Sequence, residues 1–147
     1  MISGFAGAQQ KFDKANFYAV MKSGGKEAID NEMENLEDAP QRDKNGYEGA
    51  LMIRKAEIIK GAKQRLKVFK EGRIKLETAI AADNDNTEFR FLRLVIEEHA
   101  PKIVKYHTDI EKDKAIIIKN FKNLAPAVQH AILDYCSNSK VLHKEDF

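Results

Sequence analysis

His99, His107, Asp109 and Asp113 come nearest, by type and spacing, to a metal-ligating set. Asp109 and Asp113 stand four apart, so a helix would carry both carboxylates on one face, with His107 just ahead of the turn that opens it. Two acids and one histidine near a helix start are common by chance, and no metal ligands are assigned. Asp83-Asn84-Asp85-Asn86-Thr87-Glu88 has the acid and amide density of a calcium loop, but such a loop needs glycine at its sixth position and glutamate at its twelfth. Those positions hold Glu88 and Leu94, so turn formation and helix capping explain the segment better. His130 and Cys136 are six apart and do not share a helix face, which leaves Cys136 without an activating base. No Gly-rich phosphate loop, serine elbow or H-E-x-x-H is present. The expectation is a protein that is not an enzyme and has no cofactor; the competing class is a small enzyme or metal-dependent protein with a site near His99 and His107.

A second group is basic and acidic together. Glu88, Arg90, Arg93, Glu97 and Glu98 follow Asn86 on one predicted helix, where Arg93 and Glu97 can pair across one turn and Arg90 and Arg93 share a side. Planar guanidinium forks of this kind could hold an acidic side chain or a peptide C-terminus in a groove between helices. Tyr47 and Arg54 are candidates for the same groove, so the predicted binding set is Arg90, Arg93, Glu97, Tyr47 and Arg54. The competing reading is a salt-bridged solvent face, worth tenths of a kcal/mol per pair. Between Arg54 and Lys75 stand nine basic residues against Glu57 and Glu71, a density that suits an anionic surface or an acidic protein partner. Their helical angles scatter around the axis, only Phe69 among them is aromatic, and no recognition motif frames them, which argues against nucleic acid.

These residues need helices to hold them. Phe12 to Met21, Lys26 to Leu36, and a span from about Asn45 to Gly61 have apolar residues at helical spacing, the last with capping-box spacing from Asn45 to Glu48. Leu66, Phe69, Gly72, Leu76 and Ile80 continue the period, and a break near residues 61 to 65 is expected, since one helix from 46 to 82 would be unusually long. Asn86 caps a helix with Phe89, Leu92 and Ile96 on one line, ended by Ala100-Pro101. Thr108 and Glu111 form a second capping box ahead of Ile110, Ile117 and Phe121, and Asn123 caps a last helix with Val128, Ile132 and Tyr135. Ala115-Ile116-Ile117-Ile118 is the one strand-like run, too short to outweigh its flanks. The fold class is therefore all-α, with six or seven short helices packed as antiparallel hairpins.

Ala79-Ile80-Ala81-Ala82-Asp83-Asn84-Asp85-Asn86-Thr87-Glu88 resembles the junction between tetratricopeptide-type repeats, with Asn84 where that family usually has proline. Met21 to Ile29 is similar to the turn inside such a unit, with Ala28 at its small packing position, and Gly49-Ala50 supplies a small pair. Arg93-Leu94 and Tyr106 depart from the pattern. The resemblance covers about a quarter of the chain and implies a degenerate helical-hairpin array; the alternative is an irregular bundle. Asn86, Glu88, Arg90, Phe91, Leu92 and Arg93 also resemble a stretch of small exported helical proteins of Bacteroidetes, a resemblance that carries a fold and a compartment but no chemistry.

At 147 residues with a formal charge of +2, the chain suits one helical domain over 11–136 with a loosely docked tail from 137. No segment approaches the roughly 18 apolar residues of a membrane helix. Ala6-Gly7-Ala8 has the shape of a signal peptidase site without a basic region before it, so residues 1–10 read as a flexible tail or signal-peptide remnant, with the mature chain starting at Gln9. Export to the periplasm or envelope is expected, with the cytoplasm as alternative. The expected function is a helical interaction module for a protein or peptide partner, with a structural or self-associating domain as its competitor.

Overall fold

Seven α-helices carry the chain in the computed structural model, which describes residues 12–147: α1 (Lys14–Ser23), α2 (Lys26–Asn35), α3 (Lys44–Ala56), α4 (Ala62–Ala82), α5 (Thr87–His99), α6 (Ile110–Asn120) and α7 (Pro126–Tyr135). No strand occurs among the described residues, and Ala115–Ile118 lies inside α6. The fold is all-α, as its apolar spacing predicts. The expected signal-peptide remnant and the start at Gln9 lie outside the described residues.

Local chemistry sets most boundaries. Asp13 caps α1, its carboxylate accepting from Asn16 N–H at 3.1 Å, and Asn86 caps α5 by accepting from Phe89 N–H at 2.9 Å. Gly61, at φ 91°, is the last residue before α4, so the interruption falls over residues 57–61, just ahead of its expected place. Three expected caps are displaced. Asn45 lies inside α3, which opens after Asp43; α6 opens after Asp109, with the Thr108 hydroxyl donating to the Asp109 side chain at 3.3 Å; and α7 starts on Pro126, whose missing N–H suits the first helical position.

The chain divides into two compact units between Lys75 and Leu76, where the sequence suggests one domain. In the first, Phe17, Ile29, Tyr47, Ala50 and Leu51 form the core, and the Tyr47 ring meets Phe12 at a tilt and Phe17 edge-on, with ring centroids 4.6 and 5.0 Å away. Helices α3 and α4 touch backbone to backbone here: a Cβ added at Gly72 would lie 2.7 Å from the Gly49 carbonyl oxygen. Buried Glu32 accepts from the Asn16 and Asn35 amides at 2.6 and 3.2 Å.

In the second unit, α5 pairs with α6, and Leu76, Phe89, Leu92, Leu94, Tyr106, Ile117, Ile132 and Leu142 are buried. The C-terminal tail is fixed, contrary to the loose docking expected of its polar sequence. Leu142 is fully buried, Phe147 stacks on Phe121 at 4.6 Å, and Glu98 accepts from Ser139 Oγ and Lys140 N–H at 2.8 and 2.7 Å. A polar segment gains this order because a single carboxylate satisfies two of its donors.

Candidate functional site

Helix α5 has apolar residues on its expected line, yet it is also buried where its charges stand. Arg90, Arg93 and Glu97 all lie inside the second unit, so the competing solvent-face reading does not hold for them. Buried charges need partners. The partner is Asp113 of α6, which is itself fully buried. Its Oδ1 accepts from Arg90 Nη1 at 3.0 Å and Arg93 Nη2 at 2.8 Å, while Oδ2 accepts from Arg93 Nε at 2.7 Å. Arg93 thus grips Asp113 with two parallel bonds and turns its remaining nitrogen, Nη1, to both oxygens of Glu77 at 3.0 and 3.2 Å. Arg90 also donates from Nε to the Asn84 carbonyl at 2.8 Å. Burial works against the Arg93 charge, but Asp113 and then Glu77 outweigh it and raise its pKa above the ordinary value.

Around this pair sits a second layer. The Tyr106 hydroxyl donates to Glu77, and burial followed by that carboxylate raises the phenol pKa, keeping it a donor. Glu97 Oε1 accepts from Asp109 N–H at 2.8 Å. His107 Nδ1 lies 2.8 Å from the Glu97 carbonyl, to which it donates. Glu97 Oε2, in a fully buried residue, has no hydrogen-bond partner among the described residues. Desolvation, reinforced by the Asp109 carboxyl beside it, pushes Glu97 from its ordinary 4.5 up to about 8. Glu77, Asp109 and Asp113 pair with Arg90 or Arg93, and Glu97 lies within reach of the Arg93 charge, so these four acids and two guanidiniums leave a surplus of two negative charges when all are ionised.

The predicted binding set is split between the units. Arg90, Arg93 and Glu97 come together in the second; Tyr47 is a core aromatic of the first, and Arg54 there donates to the Met21 carbonyl and Glu57, both at 3.0 Å. His99 is engaged elsewhere, sharing a hydrogen bond with the Tyr135 hydroxyl at 2.8 Å. Cys136 is buried, which raises its thiol pKa. Sequence reading did not pick out Glu77 or Tyr106, nor Asp113 as the counter-charge. Its available signal was Asp113's place between Ile110 and Ile117 on the inward line of α6.

The basic stretch is also resolved. Lys55 pairs with Asp30 at 2.8 Å, Lys75 with Glu48 at 3.3 Å, and Arg65 donates to the Ala56 carbonyl at 3.0 Å. Lys63, Lys67 and Lys70 are exposed and pair with no carboxylate among the described residues. Their spacing of four and three sets them in one row along α4, unlike the scatter expected of the whole stretch. Ile74 continues that row at 65% exposure, and Leu66 beside it is 41% exposed. Comparison with family models, with curated proteins and with solved structures finds no match.

Proposed function

We propose that the chain is a non-enzymatic helical interaction module that uses the exposed row of α4 to hold an acidic protein partner. The observation that carries this reading is the interleaving of exposed apolar side chains, Leu66 and Ile74, with exposed lysines that pair with no carboxylate among the described residues, Lys63, Lys67 and Lys70. Single exposed apolar residues are ordinary, but two of them within a row of like charges give a contact both an anchor and a sign. Exposed lysines speed and orient association with a carboxylate-rich surface, while burial of Ile74 supplies affinity. The arginines first expected to bind are engaged inside the second unit, so the partner-binding role moves from α5 to α4. The reading places this encounter in the cell envelope, the compartment expected from the sequence.

The test compares capture from envelope extract by the wild-type chain, by Lys63→Glu/Lys67→Glu/Lys70→Glu and by Ile74→Ser. The expected result is one acidic protein retained by the wild type, released by added salt, and lost from both variants. Equal capture by all three, recovery of the chain alone, or retention only on anionic lipid vesicles would refute the reading.

A further inference from the structure

The surplus charge of the second unit converges on one place. Glu77, Glu97 and Asp109 each present a carboxylate oxygen within 4.8 Å of the other two. Ca–O bonds are about 2.3–2.6 Å, so one ion can touch oxygens separated by up to about 5 Å. Three acidic residues near one another are common without an ion; here a second observation stands beside them. Glu97 Oε2 lies in a fully buried residue and has no donor among the described residues, whereas the equally buried acids Glu32 and Asp113 are met by hydrogen-bond donors. Leaving such an oxygen empty costs about 1–3 kcal/mol, and more for a charged group.

We propose that Glu77, Glu97 and Asp109 bind one hard divalent cation of the calcium class, with Glu97 as the buried floor of the site and the other two as its rim. The rim is open to an entering ion: the Glu77 and Asp109 side chains are 38% and 27% exposed. An all-oxygen donor set with no thiolate selects hard cations over softer transition metals. Charge is compatible with the same assignment: an entering divalent ion displaces the Glu97 proton and then cancels the two negative charges that Arg90 and Arg93 leave over when all four acids are ionised. Arg93 is the opposing element, with Nη1 3.0 Å from Glu77 and 3.7 Å from Asp109. Its guanidinium is turned mainly to Asp113, and a carboxylate offers about four lone-pair directions, so Glu77 can serve Arg93, Tyr106 and an ion together, with water completing the shell. The site is independent of the α4 row and of the partner it is assigned.

Terbium luminescence tests the site directly, because Tb³⁺ occupies calcium-type oxygen sites and is excited through nearby aromatic rings. The chain has four tyrosines and no tryptophan, and Tyr106 is bonded to Glu77. Chelator-stripped protein should give saturable emission at one ion per chain, displaced by Ca²⁺. Glu97→Gln should weaken Tb³⁺ binding by about tenfold or more while the helices persist, because the amide supplies its own donor to the neighbouring acids. Asp109→Asn, at the rim and freer of structural duties, should do the same, and provides the reading if the buried variant fails to fold. Asp83→Asn/Asp85→Asn, in the acidic turn before α5, should leave affinity within twofold of wild type. Absence of saturable emission, unchanged affinity in Asp109→Asn, or loss of binding on changing Asp83 and Asp85 instead would overturn the proposal.

Discussion

Asp113→Asn is the perturbation that separates a buried network from a decorated surface. The substitution keeps the shape of the side chain but removes its charge and turns an amide N–H toward guanidinium N–H groups that Asp113 now accepts at 2.7–3.0 Å. Arg93 keeps Glu77 and Arg90 keeps the Asn84 carbonyl, so neither cation is wholly abandoned. Breaking a buried pair by removing one partner costs about 3–5 kcal/mol, because the remaining charge stays desolvated. One carboxylate serving two guanidiniums puts Asp113→Asn in that range, a large part of the roughly 5–15 kcal/mol that holds a domain together. Urea unfolding followed by far-ultraviolet circular dichroism measures the loss, with an unchanged denaturant slope as the sign that the same state is being compared. Amide exchange locates the effect, which should fall on α5 and α6. A loss under about 1 kcal/mol, the size of an exposed pair, would refute the argument that these charges are buried and mutually dependent.

Three further outcomes follow from other contacts. Gly72→Ala would stabilise an open helix by about 1 kcal/mol, but here the new Cβ meets the Gly49 carbonyl at 2.7 Å and Ile53 Cγ1 and Met52 Cβ at 3.0 Å, so a net loss of about 1–2 kcal/mol is expected in thermal unfolding. Glu98 accepts from Tyr135, Ser139 and Lys140; burial opposes its charge, yet these donors hold its pKa below the ordinary 4.5. Its contribution is therefore complete above pH 4.5 and disappears as pH falls through the lower folded value. Glu98→Gln should cost about 1–2 kcal/mol at pH 7, flatten the acid limb of the stability curve and speed amide exchange at Lys140. Glu97 has the opposite sign: its folded pKa of about 8 lies above the unfolded 4.5, so in chelator the fold takes up a proton and stability declines as pH rises through that window. Thermal unfolding from pH 5 to 8.5 should show a decline of a few kcal/mol in wild type and a flatter profile in Glu97→Gln.

The all-α architecture was legible because helical spacing is repeated through most of the chain and polar caps stand at some of its starts. Asn86 and Pro101 bound α5 for reasons contained in single residues. Displaced caps had competing chemistry nearby: Asp109 is partly engaged with Thr108, and Pro126 is itself a preferred first residue, so Asn123 was not needed. The fixed tail was hidden because its anchor, Glu98, is 41 positions from Ser139. Fates of individual lysines were equally hidden: Lys55 and Lys67 are alike in sequence, and only the packing of α2 against α3 brings Asp30 to one of them.

The buried charges of α5 were misjudged for a different reason. A hydrophobic-periodicity reading assigns charged residues to the outer face, which is sound when a helix has one neighbour. Helix α5 is nearly surrounded, so the face opposite Phe89, Leu92 and Ile96 is buried as well, and the residues there must bring their own counter-charges. The two units treat such burial differently. Glu32 is met by two neutral amides, a local solution that adds no further charge, whereas Asp113 draws in two arginines and a wider ring of acids. Each arginine added to satisfy one acid requires further acceptors for its remaining N–H groups. That demand accounts for Glu77 and the Asn84 carbonyl but not for Glu97 Oε2, and this is why the unmatched oxygen, rather than the number of acids, distinguishes the rim at Glu77 and Asp109 from an ordinary ion-pair network.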